Sequence, residues 1–227
     1  MTISVVGDGA RKARGSGSSI SLNMGGVGSN NAGLLAVVVL GCYRSTTGVS
    51  TGWTEFAATG STGQYVRAAW RILDDTDNDD ITYSFSGSGQ AMMLGCFFQS
   101  TVGFDASAIT QSQRNVTVTS ADTYALSGPL SGVTSGQLSV VMGGESYTAQ
   151  RPLTPGVSGT NWSPTYGPNT FDYGHATIAT NSVNTGTIPT PTITYNDTFS
   201  SIKFVVGFVL KETAASGLAG GGLFWGQ

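Results

Sequence analysis

Ionisable side chains are scarce in this chain: ten Lys and Arg and thirteen Asp and Glu make up 10% of its 227 residues, against about 25% in an ordinary soluble domain. The net charge of −3 leaves no electrostatic footprint for nucleic acid, which binds chiefly through Lys and Arg on phosphates. A single histidine, His175, and two cysteines, Cys42 and Cys96, exclude the common zinc spacings. Both cysteines fall in predicted strands, and buried free thiols are preferred over a disulfide, since cytoplasmic synthesis disfavours a bridge. No apolar run approaches the roughly 18 residues of a membrane span. The longest, Leu34–Leu40, reads as a buried strand, so no membrane insertion is expected. The opening Met1-Thr2-Ile3-Ser4-Val5-Val6 lacks the basic region and apolar core of a secretory leader. The one basic cluster, Arg11, Lys12 and Arg14, is flanked by Gly and Ser and reads as a solvated charge run.

What is present is glycine, 33 residues of it, and 39% hydrophobic residues in strand-like patterns. Alternating, β-branched and aromatic text punctuated by Gly, Asn and Asp marks short antiparallel strands. Candidates fall at 3–6, 19–24, 34–43, 53–58, 64–73, 81–86, 91–99, 115–119, 123–127, 137–143, 146–149, 176–179, 192–195 and 202–212. No helical stripe interrupts them. The expectation is an all-β, antiparallel β-sandwich, jelly-roll-like, over residues 1–212, with an extended C-terminal arm at 213–227. A surface of Ser, Thr, Asn, Gly and Gln suits a protein packed against copies of itself or other subunits.

Between Pro152 and Pro191 six of the seven prolines gather with Gly, Asn and Thr. Proline cannot donate to a central ladder, so 152–191 reads as a Pro-rich loop insertion. Its aromatics Trp162, Tyr166, Phe171 and Tyr173 offer a candidate platform on which sugar rings could stack. The arm closes on Gly220-Gly221-Gly222-Leu223-Phe224-Trp225-Gly226-Gln227. Leu223, Phe224 and Trp225 are the natural anchors for a groove on a neighbouring subunit; folding back onto the same domain is the alternative.

The search for chemistry returns little. His175 has Asp172 nearby in sequence, but no Gly-x-Ser-x-Gly elbow supplies a nucleophile. Asp75, Asp77 and Asp79 have the spacing that opens a calcium loop, yet Asp80 replaces the glycine and Ser86 the glutamate of that template; an acidic hairpin tip is the preferred reading. Glu55, Glu145 and Glu212 have no setting diagnostic of a glycosidase pair. The chain is therefore expected not to be an enzyme and to need no cofactor.

A family resemblance narrows the reading. The run Leu34 to Cys42, then Gly52-Trp53-Thr54-Glu55-Phe56, Tyr65 to Arg71, Ile81 to Ser86 and Ala91 to Asp105 resembles a jelly-roll-like sandwich module of tailed-bacteriophage virion proteins, of minor tail, fibre or head-decoration type, also found in some bacterial surface proteins. Val116 to Asp122 and Ile202 to Lys211 fit the same module. The resemblance spans roughly residues 20–150 and 192–212; the Pro-rich segment and the glycine-rich tail depart from it. It implies a multi-copy virion surface subunit whose partners are itself and other virion proteins, and it brings no catalytic residues. The alternative is a glycan-binding host-receptor module of a phage tail or bacterial surface protein, with a host-surface glycan as partner. A depolymerase is held back by the lack of an acidic cleft. Trp53 and Trp70 are expected in the core, Trp53 closing one end of the sandwich with its indole N–H bonded.

Overall fold

The computed structural model describes residues 3–6, 11–24, 32–74, 80–146, 156–166, 174–183, 185–194 and 200–213, with the backbone alone at 11–14, 118, 146, 166 and 174–176. Among these residues nineteen strands occur and no helix. The first half of the chain supplies β1 (Ser4–Val5), β2 (Arg11–Gly15), β3 (Ser19–Leu22), β4 (Leu35–Cys42), β5 (Thr46–Val49), β6 (Thr54–Ser61), β7 (Gln64–Ile72), β8 (Ile81–Phe85) and β9 (Ala91–Gln99). The second half supplies β10 (Ile109–Thr119), β11 (Thr123–Ala125), β12 (Leu130–Val133), β13 (Leu138–Ser146), β14 (Gly156–Ser158), β15 (Trp162–Tyr166), β16 (Gly174–Asn181), β17 (Gly186–Ile188), β18 (Thr192–Thr194) and β19 (Ser201–Leu210).

Every pairing is antiparallel. The first half forms an inner sheet in the order β1-β9-β4-β7-β6, with β2 also on β9, and an outer sheet β3-β8-β5. The second half forms an inner sheet β10-β19-β13-β16-β15 and an outer sheet β11-β18-β14, with an added pair β12-β17. These are the same topology twice. Counting β1 and β2 as one interrupted strand, and leaving out β12 and β17, each half sends its first, eighth, third, sixth and fifth strands to the inner sheet and its second, seventh and fourth to the outer. This winding between two sheets is that of a jelly roll.

The two inner sheets pack face to face. Leu35, Val37, Val39, Leu94 and Phe98 meet Leu138, Val140, Met142, Phe204 and Phe208 in one central core. The opposite face of each inner sheet is covered by an outer layer: Ala36, Val38, Leu40 and Phe97 by Ile20, Leu22, Ile81 and Tyr83, and Val141, Val205 and Val209 by Leu126 and Ile193 together with Leu130 and Ile188 of the added β12-β17 pair. Inner strands are thus buried on both faces, which explains why β4, β9 and the Phe204–Leu210 part of β19 read as apolar runs without alternation. The outer strand β8 is covered on one face and alternates, buried at Ile81, Tyr83 and Phe85.

The repeat extends to register. Leu35 opposes Phe98 as Leu138 opposes Leu210. Leu35-Ala36-Val37-Val38 then corresponds to Leu138-Ser139-Val140-Val141, and Gly95 to Gly207. Both glycines point outward beneath the second strand of their half: a Cβ on Gly207 would come within 2.5 Å of Leu126 Cδ1, and one on Gly95 would press into Met24. Glycine at this position lets the outer layer settle directly on the inner strand.

One expectation needs correction. The segment 152–191 is not a loop excursion, because it contains β14, β15, β16 and β17. Its prolines are tolerated for a physical reason: Pro164 lies in β15, the edge strand of its sheet, and Pro189 and Pro191 lie between β17 and β18, where no ladder N–H is needed. The expected antiparallel, jelly-roll-like sandwich is present, and its winding occurs twice around a shared core. The basic cluster at Arg11–Arg14 also lies in a strand, β2, paired with β9. Cys42 and Cys96 are free thiols on opposite faces of the first inner sheet, and burial pushes both up to about 12.

Candidate functional site

Trp53 and Trp162 occupy equivalent places in the two halves. Each is 7% exposed, and each indole N–H donates to a carbonyl 27 residues onward, Trp53 to Asp80 at 3.3 Å and Trp162 to Pro189 at 3.0 Å. Each follows a left-handed residue, Gly52 at φ 88° and Asn161 at φ 64°. Each backbone N–H closes a turn onto the residue three before, Ser50 or Gly159. Trp162 is therefore a core plug, and its ring is not the exposed sugar platform expected from sequence; its face is taken up by the packing of the second outer layer. Trp70 is half-buried against the central core.

Beyond each Trp the edge strand carries a bulge at the same step, at Phe56 in β6 and at Thr165 in β15. The two inner sheets meet along two seams, β6 against β10 and β15 against β1, and the bulge residue of each strand sits at its seam. At the first, Phe56 packs edge-on against Phe208, ring centroids 5.5 Å apart. At the second, the bulge residue is Thr165, and the position matching Phe208 is Cys96. Two phenyl rings are thus matched by a hydroxyl and a thiol, and this seam holds a groove of about 490 Å³, lined by Ile3 and Val5 beside the first inner sheet and by Leu138, Thr165 and Thr180 of the second. The wall is mainly apolar, and the other seam carries the Phe56–Phe208 ring pair at the matching position.

The β6–β10 seam holds a second cleft, of about 450 Å³, lined by polar groups from Thr59, Ser61, Gln113, Arg114, Asn115 and Ser127. Arg114 opposes Val206 and flanks Ser112 and Val116; Ser112 donates to the Phe56 carbonyl across the seam. These positions put Arg114 on the inward face of an edge strand. The amides beside it are oriented: Gln113 Oε1 accepts the Ser127 hydroxyl at 3.1 Å, and Asn115 Nδ2 donates to the Ala125 carbonyl at 3.0 Å.

A third cluster lies in the outer core of the second half. Glu145 and Lys203, both fully buried, face each other across β13 and β19 with Nζ 3.4 Å from Oε1. The Ser201 hydroxyl donates to Glu145, and the Lys203 ammonium donates to the Ala121 carbonyl. The matching pair in the first half is Cys42 and Ala91, so the duplicated frame does not require an ion pair here. The cluster has no nucleophile–base–acid sequence, and its groups satisfy one another.

The remaining sequence-predicted positions separate as follows. Tyr166 ends β15, with only its backbone described, and His175 lies in β16 opposite Glu145, again as backbone. Phe171 and Tyr173, the acidic Asp75, Asp77 and Asp79, and the arm residues Leu223, Phe224 and Trp225 lie outside the described residues. Sequence reasoning missed both seams. The signal that could have found them is internal: Gly48-Val49-Ser50-Thr51-Gly52-Trp53-Thr54 is echoed by Gly156-Val157-Ser158-Gly159-Thr160-Asn161-Trp162-Ser163.

No protein-family model matches the chain, and no curated protein matches it significantly. Among solved structures it is similar to the crystal structure of PBSX exported protein XepA, at 12% identity over 91% of this chain and 86% of that one. The TM-score is 0.19, too loose a superposition to carry an argument.

Proposed function

We propose that this protein is a structural subunit of a tailed-bacteriophage virion, present in many copies on the particle surface and acting by protein–protein assembly rather than by catalysis. The observation that carries the reading is the vacant seam. The fold closes one edge of its central core with Phe56 on Phe208 and leaves the equivalent edge open at Thr165. An apolar slot shaped by its own counterpart for aromatic rings suits an aromatic segment of a neighbouring copy, and Leu223, Phe224 and Trp225 provide one. The scarcity of charge, 10% of residues, and the resemblance of the first-half strands to virion sandwich modules support the same reading. Head decoration and a tail or fibre location are both compatible with it.

The test uses particles assembled with the wild-type chain, with Thr165→Phe and with residues 217–227 deleted. Thr165→Phe places the missing ring in the groove, so it is expected to fold normally and to lose incorporation, as is the deletion. Normal incorporation of both variants would overturn assembly through the arm and groove. Electron microscopy of tagged particles then separates a capsid lattice from a tail position, and particles without label would remove the virion reading.

A further inference from the structure

We infer that the polar cleft of the β6–β10 seam is a binding site for an anionic, hydroxyl-rich ligand, an acidic saccharide or polyol phosphate whose oxyanion is held by Arg114. This goes beyond the assembly reading and does not depend on it. Arg114 lies on the inward face of its strand, half-buried, and its Nε is fully buried without a hydrogen-bond partner among the described residues. That Nε is closed to a ligand, so an oxyanion would meet the terminal guanidinium nitrogens; a guanidinium desolvated in part without an acceptor is costly, and none of the residues lining the cleft is acidic. The remaining lining matches a polyol. Because Gln113 Oε1 is occupied by Ser127, its NH₂ is free to donate; because Asn115 Nδ2 is occupied by the Ala125 carbonyl, its Oδ1 is free to accept. Thr59 and Ser61 add hydroxyls from the facing strand. A planar guanidinium suits a carboxylate or phosphate in two-point contact, and the Gln113 and Asn115 amides, which alternate with Arg114 and flank it from the other face of this edge strand, offer a donor and an acceptor to hydroxyls at the cleft's rim. At about 450 Å³ the cleft lies within the size range of small-ligand sites.

An inward-pointing charge on an edge strand can also serve to block edge-to-edge association, and the experiment separates the two roles. The full-length protein is titrated with glucuronate, glycerol phosphate and, as the neutral control, glucose, and backbone amide shifts are followed at Thr59–Ser61 and Gln113–Asn115. Saturable shifts from glucuronate, from glycerol phosphate or from both, weakening with salt, are expected. Which acid acts identifies the source of the oxyanion. Arg114→Gln is expected to weaken binding about tenfold or more, since hydrogen bonds to charged groups are the strong ones. Arg114→Lys should keep only part of the affinity, and Arg44→Gln, which removes an exposed charge elsewhere, should keep all of it. The inference is overturned if glucose shifts the same amides equally, if neither acid gives a saturable shift, or if Arg114→Gln binds as wild type. Self-association of Arg114→Gln with ligand affinity intact would assign the residue to edge protection instead.

Discussion

At the residue scale, two tryptophans define the molecule. Trp53 and Trp162 make the same turn, the same indole hydrogen bond and the same burial in two sandwiches. Equal settings imply equal contributions. Replacing either by Ala removes a ring of roughly 200 Å² from a closed layer and is expected to cost about 3–5 kcal/mol. Urea unfolding of the two variants tests this: similar losses are expected, and near-normal stability of Trp162→Ala would return that ring to the surface. The Gly52 and Asn161 before them show why the motif was only half legible. Both residues tolerate the left-handed turn, so the structure repeats while the sequence changes from Thr-Gly-Trp-Thr to Thr-Asn-Trp-Ser.

At the element scale, the contrast between equivalent strand pairs is informative. Where β4 and β9 oppose Cys42 and Ala91, β13 and β19 oppose Glu145 and Lys203, fully buried. Removing one partner of a buried pair leaves an uncompensated charge, so Glu145→Gln or Lys203→Met alone is expected to cost about 3–5 kcal/mol. The double variant Glu145→Met with Lys203→Met should recover most of that loss, because the sister pair packs without charge. Denaturant midpoints of the three variants decide it; a double variant as unstable as the sum of the singles would mean the frame needs the pair. Strand existence was legible where apolar text is dense, as in β4, β7, β9 and β19. It was not legible at β2, β5, β12, β14, β15 and β17, which are short or edge strands with polar text and, in β15, a proline. Such strands are held by the ladder of a neighbour rather than by their own pattern.

At the scale of the whole molecule, the two sandwiches share the central core, so neither inner sheet can be exposed without opening Leu35, Val37, Phe98, Val140 and Phe208 together to water. One cooperative urea transition is therefore expected, with tryptophan fluorescence and far-ultraviolet circular dichroism coincident; two separated transitions would show the halves to be independent. The sequence by itself determined the class: period-two text, turn residues and the lack of helical stripes lead to antiparallel strands, because side-chain alternation and glycine turns are local properties. The apolar runs Leu35–Leu40, Ala91–Phe98 and Phe204–Leu210 need cover on both faces, but the expectation drawn from the sequence was one sandwich, and the four layers came from the tertiary structure. Only the tertiary structure decided that the winding occurs twice, that Trp162 plugs a core, and that one seam carries Phe56 on Phe208 at its bulge while the other has Thr165 and a groove there. Those features depend on which distant strands become neighbours, and pairing at long range is fixed by the fit of whole faces rather than by any one segment.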